Sequence, residues 1–194
     1  MFKTLFHYIS VLLKFSSANT QTTLAEQDAI RKWSENASTA VEIGVFEGVN
    51  TCVIASSISE NGILYAIDPF LKGRLGLCYG LFITNLGIQR AGLEKKIKLI
   101  EKYSAEAAKE IPENIDFIFV DGDHSLAGIT SDWELYSSKV SKGGVIALHD
   151  TQVPAHQSWK STMDSVKFYN TTIQYDGRFE QVDSVDSLII LRRL

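Results

Sequence analysis

Two clusters of acidic residues and histidine carry most of the reactive side chains in this chain of 194 residues. Residues 121–124 read D-G-D-H and residues 149–150 read H-D, and each cluster follows an apolar run typical of a buried strand. Because the carboxyl ends of neighbouring parallel strands meet at one edge of a sheet, we expect the two clusters to converge. Asp121, His149 and Asp150 could then hold a divalent cation; the carboxylates suit Mg²⁺, whereas the imidazole shifts the preference toward transition metals.

His124 is the strongest single candidate for a catalytic residue. Imidazole titrates close to neutral pH, so a histidine can accept a hydroxyl proton under physiological conditions. Asp121 would lie beside it at the reacting centre, and a metal bound there would lower the pKa of a substrate hydroxyl. The structural alternative is that these acids cap turns and helix starts, and that His124 bonds only to its own turn.

A second group of residues indicates a nucleotide cofactor. Residues 41–51 (V-E-I-G-V-F-E-G-V-N-T) predict a strand, a turn with Gly44 and Gly48, and a helix, an order that presents backbone N–H groups to a ligand. Asp68 ends the next apolar run about 20 residues later, where an acid usually binds ribose hydroxyls. Phe46 stands where the dinucleotide fingerprint needs its middle glycine, so a cofactor without a pyrophosphate is favoured, and S-adenosylmethionine fits.

Glu42 and Ser104 are two further candidates for binding this cofactor. A carboxylate at the end of a buried strand is costly without a partner, and the ammonium group of S-adenosylmethionine would be such a partner for Glu42. Ser104 follows the third predicted strand and could bond the adenine, although a helix N-cap explains the same residue equally well.

Alternating strands and helices must position these residues. We predict strands at 40–43, 63–67, 97–100, 117–120 and 145–148, and the clearest helices at 51–59, 79–91 and 126–140. Strands that are apolar throughout are covered on both faces, so the fold class is α/β, a Rossmann-like doubly wound sheet that is mostly parallel. Two later segments, 168–175 and 187–191, joined by a polar loop, predict a hairpin and therefore an antiparallel last strand.

Bulk properties limit the classes of function and the location. The net charge of −4, with dispersed Lys and Arg, gives no electrostatic indication of nucleic-acid binding. Residues 1–22 predict an amphipathic helix and connector, too interrupted for a membrane span, ahead of one domain at 23–194. The helix would cover the core or a partner, which makes a homodimer an option. Cys52 and Cys78 show no disulfide or C-x-x-C pattern, which favours a reducing compartment, so we expect the protein to be located in the cytoplasm.

The ordered motifs resemble those of the class I S-adenosylmethionine-dependent methyltransferases. The resemblance covers roughly residues 23–194 and is carried by 41–48 with Asp68, by 116–124 (D-F-I-F-V-D-G-D-H) and by 143–150 (G-G-V-I-A-L-H-D). It is strongest to a small-molecule O-methyltransferase group that includes macrolide-sugar and rhamnosyl methyltransferases and cephalosporin hydroxylase-like proteins.

For the fold and the cofactor, the resemblance implies a seven-stranded sheet with a reversed last strand. It also implies that Gly44 and Gly48 bound the methionine end and that Asp68 binds the ribose. For the chemistry, it implies that Asp121 and Asp150 ligate Mg²⁺.

The resemblance further implies that His124 matches the base of the sugar methyltransferases. One departure concerns the metal, because metal-binding relatives can carry an acid where this chain has His149.

The residues and the resemblance together favour an O-methyltransferase that acts on a small-molecule hydroxyl. Residues 69–82 and 151–160 would shape the acceptor pocket. A nicotinamide-dependent oxidoreductase on a similar sheet is one alternative, although the missing middle glycine and the lack of an obvious Tyr-x-x-x-Lys pair count against it. The other alternative is a non-catalytic module that binds a ligand or partner on the same fold.

Overall fold

The computed structural model describes residues 2–73 and 76–194. Within these ranges the strands are β1 (Thr39–Ile43), β2 (Ile63–Ile67), β3 (Ile97–Ile100), β4 (Ile115–Val120), β5 (Val140–Leu148), β6 (Phe179–Val185) and β7 (Leu188–Arg193). The α-helices are α1 (Phe2–Leu12), α2 (Leu24–Ser34), α3 (Val49–Ser57), α4 (Tyr79–Ala91), α5 (Ser104–Ala107), α6 (Leu126–Tyr136) and α7 (Asp164–Thr171). Short 3-10 helices lie at Ala108–Glu110, Ser137–Lys139, Ser158–Thr162 and Ile173–Tyr175.

The strands form one seven-stranded sheet in the order β3-β2-β1-β4-β5-β7-β6. Neighbours from β3 through β5 pair in parallel. β7 runs antiparallel to both β5 and β6. The α/β class, the doubly wound parallel sheet and the reversed last strand are therefore confirmed.

Apolar side chains on both faces of the sheet hold helices against it. Phe119 of β4 packs on one face with Ile30 of α2 and Ile54 of α3. Its neighbour Ile118 packs on the other face with Trp133 of α6. Successive residues of a strand point to opposite faces, so a run that is apolar throughout produces two cores.

The prediction that residues 168–175 form the first strand of the terminal hairpin was wrong. Residues 168–175 belong to the end of α7 and the 3-10 helix Ile173–Tyr175. Val166, Tyr169 and Ile173 are buried there, at a spacing that fits a helix. The true partner of β7 is β6, which sequence reasoning treated as a polar loop. β6 is an edge strand with one side chain buried, so its sequence lacks an apolar run.

The strand register brings the predicted site residues to one edge of the sheet. Ile43 of β1 is paired with Ile67 of β2 and Val120 of β4. Val120 is paired in turn with Leu148 of β5. The residues that follow these four positions lie at that shared edge; they are Gly44, Asp68, Asp121 and His149.

The N-terminal helix α1 packs against α4 through a narrow face. The ring of Tyr8 lies 5.9 Å from that of Tyr79 and 5.8 Å from that of Phe82, centroid to centroid. Val11 is buried, and its backbone carbonyl accepts a hydrogen bond from Arg90 of α4 at 2.9 Å. Most of the predicted apolar stripe instead faces solvent; its exposed members are Leu5, Phe6, Ile9, Leu12 and Leu13. No helix in the described part of the chain is long and apolar enough to cross a membrane.

The segment that follows α1 is tied to the turn between β1 and α3. Glu47 of that turn accepts a hydrogen bond from the backbone N–H of Asn19 at 2.5 Å, and its carboxylate lies 2.9 Å from His7 Nε2. Thr22 donates to Asn50 of α3 at 3.0 Å. The proposed boundary between residues 22 and 23 stays a prediction.

Candidate active site

The turn between β1 and α3 is packed too closely for side chains at its glycines. Gly44 has a φ of +92°, and a Cβ there would lie 2.1 Å from the carbonyl oxygen of Asp121. Gly48 has a φ of +79°, and a Cβ there would lie 2.9 Å from Thr84 of α4. Phe46, between them, also has a positive φ of 56°, and its side chain is exposed. The turn is thus fixed between β4 and α4 with its aromatic side chain outward.

Replacing Gly44 with alanine is expected to destabilise the protein by at least about 2 kcal/mol, because the new Cβ adds a clash to an unfavourable backbone conformation. The melting temperature should then fall by roughly 4 °C or more in thermal unfolding. Gly177→Ala is the matched control, since a Cβ at Gly177 would meet nothing within 4 Å. Equal melting temperatures for the two variants would contradict the geometry described for this turn.

Asp68 holds the same turn from the end of β2. Its Oδ2 accepts hydrogen bonds from the backbone N–H groups of Val45 and Phe46 at 3.0 and 3.1 Å. Its Oδ1 accepts from the N–H of Phe70 at 2.7 Å. A carboxylate offers about four acceptor positions, so Asp68 has little capacity left beyond these contacts. Its role in binding ribose stays a prediction, and its role in shaping the turn is evident from the contacts.

Glu42 is a fully buried carboxylate that lacks a full set of partners. Thr51 of α3 donates to its Oε2 at 2.5 Å, whereas Oε1 has no hydrogen-bond partner among the described residues. Burial, with smaller contributions from the charges of Asp121 and Asp68, raises the pKa of Glu42 well above its ordinary value. An unpartnered buried carboxylate is costly, so the site is suited to a ligand that carries a cationic or donor group. The ammonium of S-adenosylmethionine has that chemistry.

Ser104 makes a contact that sequence reasoning did not anticipate. It is the first residue of α5, and the N-cap is Tyr103, so the N-cap alternative does not describe it. Its hydroxyl donates to Oδ1 of Asp132 at 2.5 Å. Burial raises the pKa of Asp132 to about 6, although the bond from Ser104 opposes that rise. The Ser104 oxygen can still accept a hydrogen bond, and the adenine role stays a prediction.

The two acid–histidine clusters meet around Asp121. Its Oδ1 lies 2.7 Å from His149 Nδ1 and 3.5 Å from His124 Nε2. His124 Nε2 also lies 3.6 Å from Oδ2 of Asp150. Burial would raise the pKa of Asp121, but the nearby imidazoles of His124 and His149 outweigh it and hold the pKa below its usual value. The side chain of His124 is 28% exposed, so it can be reached from solvent.

Glu26 of α2 is a member of this cluster that sequence reasoning missed. Its Oε2 lies 3.5 Å from His149 Nε2, a distance of an ion pair rather than a hydrogen bond. Its Oε1 accepts from the N–H and hydroxyl of Ser187 at 2.9 and 2.7 Å. Burial would lower the pKa of His149, but the carboxylates of Asp121 and Glu26 raise it to about 10. Glu26 forms a capping box with Thr23 at the start of α2, and in the sequence the T-x-x-E spacing of these two residues indicates only a helix start.

Lys160 is the second missed member. It lies in the 3-10 helix Ser158–Thr162, and its amine pairs with Oδ1 of Asp150. Both side chains are buried. The only sequence signal for Lys160 was its position in the 151–160 segment that we expected to shape the acceptor pocket.

The donors around Asp121 do not suit Mg²⁺ as they stand. Among the described residues, Asp121, His124 and His149 have ligand atoms within 4.8 Å of one another, and Asp150 is outside that group. Mg²⁺ prefers oxygen ligands. An ionised carboxylate can only accept, so His149 Nδ1 donates its proton to Asp121 and has no lone pair for a metal. Metal binding by Asp121, His149 and Asp150 therefore stays a prediction that these contacts do not support, and no chemical step is derived from it.

The predicted acceptor segment 69–82 is described only in part. Residues 74 and 75, within the predicted 69–82 segment, lie outside the described residues. Of the rest of that loop, Leu71 is exposed and Phe70 is buried against the core.

Residues 41–151 match the family described as "Methyltransferase domain". The chain is 28% identical to tapetum-specific methyltransferase 1 of Arabidopsis thaliana, over 82% of this chain and 71% of that protein. It is 30% identical to caffeoyl-CoA O-methyltransferase of Populus kitakamiensis, again over 82% of this chain and 71% of that protein. Among solved structures, an O-methyltransferase from Bacillus cereus in complex with SAH shares the fold, with a TM-score of 0.68 and 16% identity over 98% of this chain and 91% of that one.

Proposed function

This chain belongs to the class I S-adenosylmethionine-dependent O-methyltransferases, and on that premise we propose that it methylates a hydroxyl of a small organic molecule, with His124 as the general base. The observation that supports this most directly is the position of His124. It is accessible from solvent, lies between Asp121 and Asp150, and shares the sheet edge with the glycine turn.

S-adenosylmethionine is the methyl donor, and it supplies an electrophilic methyl group on a sulfonium centre. In the proposal, Glu42 Oε1 pairs with the ammonium group of the donor, because that oxygen is buried and without a partner. Gly44 and Gly48 keep the turn free of side chains around the methionine end. Asp68 and Ser104 contact the ribose and the adenine. Most of the rate enhancement comes from holding the acceptor oxygen and the methyl group together.

His124 takes the proton of the acceptor hydroxyl. Its Nε2 lies 3.5 and 3.6 Å from the carboxylates of Asp121 and Asp150, distances too long for direct hydrogen bonds. Nε2 is therefore not engaged by either carboxylate and can accept the incoming proton. The imidazolium that forms is stabilised by the two nearby carboxylates, which is the role we assign to Asp121.

The alternatives are less well supported. The methyltransferase family gives no support to a nicotinamide-dependent oxidoreductase, and Phe46 stands where that cofactor's fingerprint needs a glycine. A non-catalytic module would not need the reachable base at His124. The absence of a nucleic-acid partner, the homodimer and the cytoplasmic location stay predictions.

The function is tested with S-adenosylmethionine labelled at its methyl group and a panel of acceptors. Caffeoyl-CoA, which appears in the name of one relative, is the first acceptor to test, followed by simple phenols and sugars. We expect labelled product from at least one hydroxylated acceptor and none from the same acceptor with its hydroxyl already methylated. Calorimetric binding of S-adenosylhomocysteine without transfer to any acceptor would favour the non-catalytic module instead.

A further inference from the structure

Lys160 is a buried lysine inside the acid–histidine cluster, and the mechanism above does not use it. The residue is only 6% exposed, and its amine pairs with the carboxylate of Asp150. Lysine is almost never fully buried unless it is paired. The pairing is therefore a built feature of the site rather than a surface contact.

The backbone around Lys160 is held in place independently of this ion pair. The N–H of Lys160 donates to the carbonyl of Gln157 at 2.9 Å, and the N–H of Met163 donates to the carbonyl of Lys160 at 2.9 Å. Ser165, which is fully buried, donates its hydroxyl to the backbone carbonyl of Asp150 at 2.6 Å. The lysine is thus pre-positioned over Asp150.

The carboxylates that a metal would need already face positive or donor groups of the chain. Oδ1 of Asp150 pairs with Lys160 and lies 3.7 Å from His149 Nδ1. Oδ1 of Asp121 accepts the hydrogen bond from His149 at 2.7 Å. A divalent ion shared by Asp121 and Asp150 would have to displace the ammonium group of Lys160 and the proton donated by His149. Placing a second cation next to a buried ammonium group is electrostatically unfavourable.

We propose that Lys160 takes the place of a divalent metal ion in this chain, an inference that rests on the proposed function. Its ammonium group holds the Asp150 carboxylate next to His124, so that the base is positioned without a bound ion. Lys160 is accordingly a positioning residue, and methyl transfer does not require Mg²⁺ or Mn²⁺. The carboxylates that the family resemblance implies as metal ligands have partners within this chain: Asp150 pairs with Lys160, and Asp121 accepts a hydrogen bond from His149.

Calorimetric titration of Mn²⁺ and of Mg²⁺ into metal-stripped protein tests the inference without any need for turnover. The wild-type protein should show no saturable binding at millimolar ion concentrations, and its transfer rate should be the same in EDTA as in Mg²⁺. Lys160→Met should bind Mn²⁺ at least about tenfold more tightly than wild type, because the buried Asp150 carboxylate then lacks a cation. Lys160→Arg keeps the charge, so it should bind no Mn²⁺ and retain more activity than Lys160→Met.

Lys139→Met is the matched control, because Lys139 pairs with Glu113 and belongs to no part of the proposed site. It should change neither Mn²⁺ binding nor transfer. Saturable Mn²⁺ binding by wild type that Asp121→Asn abolishes would overturn the inference, and that result stands even if Lys160→Met fails to fold. Unchanged Mn²⁺ affinity in a folded Lys160→Met protein would overturn it as well. A wild-type protein that transfers no methyl group would refute the proposed function, while the titrations would still decide the metal question.

Discussion

Replacing His124 with alanine is expected to lower the rate of methyl transfer by about 10²- to 10⁴-fold, the usual contribution of a positioned general base. The binding of S-adenosylhomocysteine should be unchanged, because His124 lies with Asp121 and Asp150 rather than at the Glu42 end of the site. Transfer is measured with labelled donor at a saturating concentration, and binding is measured by calorimetry.

Lys139→Met is the control for this experiment as well, because Lys139 pairs with Glu113 and belongs to no part of the proposed site. It should retain close to wild-type activity. Parallel loss of transfer and of cofactor affinity in His124→Ala would instead show that His124 supports the fold of the cofactor site, and His124 would no longer qualify as the base.

Glu42→Gln should change cofactor binding and protein stability in opposite directions. Without the carboxylate, the ammonium group of the cofactor loses a buried charged partner, and the Kd for S-adenosylhomocysteine should rise about 10- to 100-fold. In the absence of cofactor, the variant should melt at a higher temperature than wild type at pH 8, because a neutral amide carries neither the cost of burying a charge nor the cost of keeping a carboxyl group protonated. Calorimetry and thermal unfolding give the two measurements.

The pH dependence of this stability difference is an internal control. The folded-state pKa of Glu42 is raised above its ordinary value of 4.5, so the native protein retains that proton longer than the unfolded chain does. Stability is therefore lost as the pH rises above about 4.5, and Glu42→Gln should escape that loss. The two proteins should melt together near pH 4 and diverge toward pH 8. A variant that binds S-adenosylhomocysteine as tightly as wild type would remove Glu42 from the cofactor site.

The sequence predicted the parallel part of the sheet well, because a strand that is buried on both faces has a continuous run of apolar residues. The runs at 63–67 and 97–100 match β2 and β3 residue for residue, and the helix at 79–91 matches α4. The edge strand β6 could not be recognised in this way. An edge strand needs little apolar surface, so its polar sequence looked like a loop, and the helical run before it was taken for a strand.

The amphipathic N-terminal helix shows a different limit of the sequence. Its period was correctly predicted, but the apolar stripe gave no information on which face meets the domain. In the structure Tyr8 and Val11 make that contact, and Phe6 and Ile9 are exposed. Several faces of a helix can be apolar, and only the shape of the surface beneath selects one.

For the candidate site, residue order alone placed Gly44, Asp68, Asp121 and His149 at one edge, because parallel strands end together. Glu26 and Lys160 were beyond its reach. Glu26 belongs to a helix that precedes the sheet, and Lys160 to a short 3-10 helix after β5, and each meets the cluster only through long-range packing. The apolar runs in the sequence show where each strand ends and therefore which residues lie at the carboxyl edge of the sheet. The charged groups that surround those residues come from segments distant in sequence, so only the tertiary packing determines them.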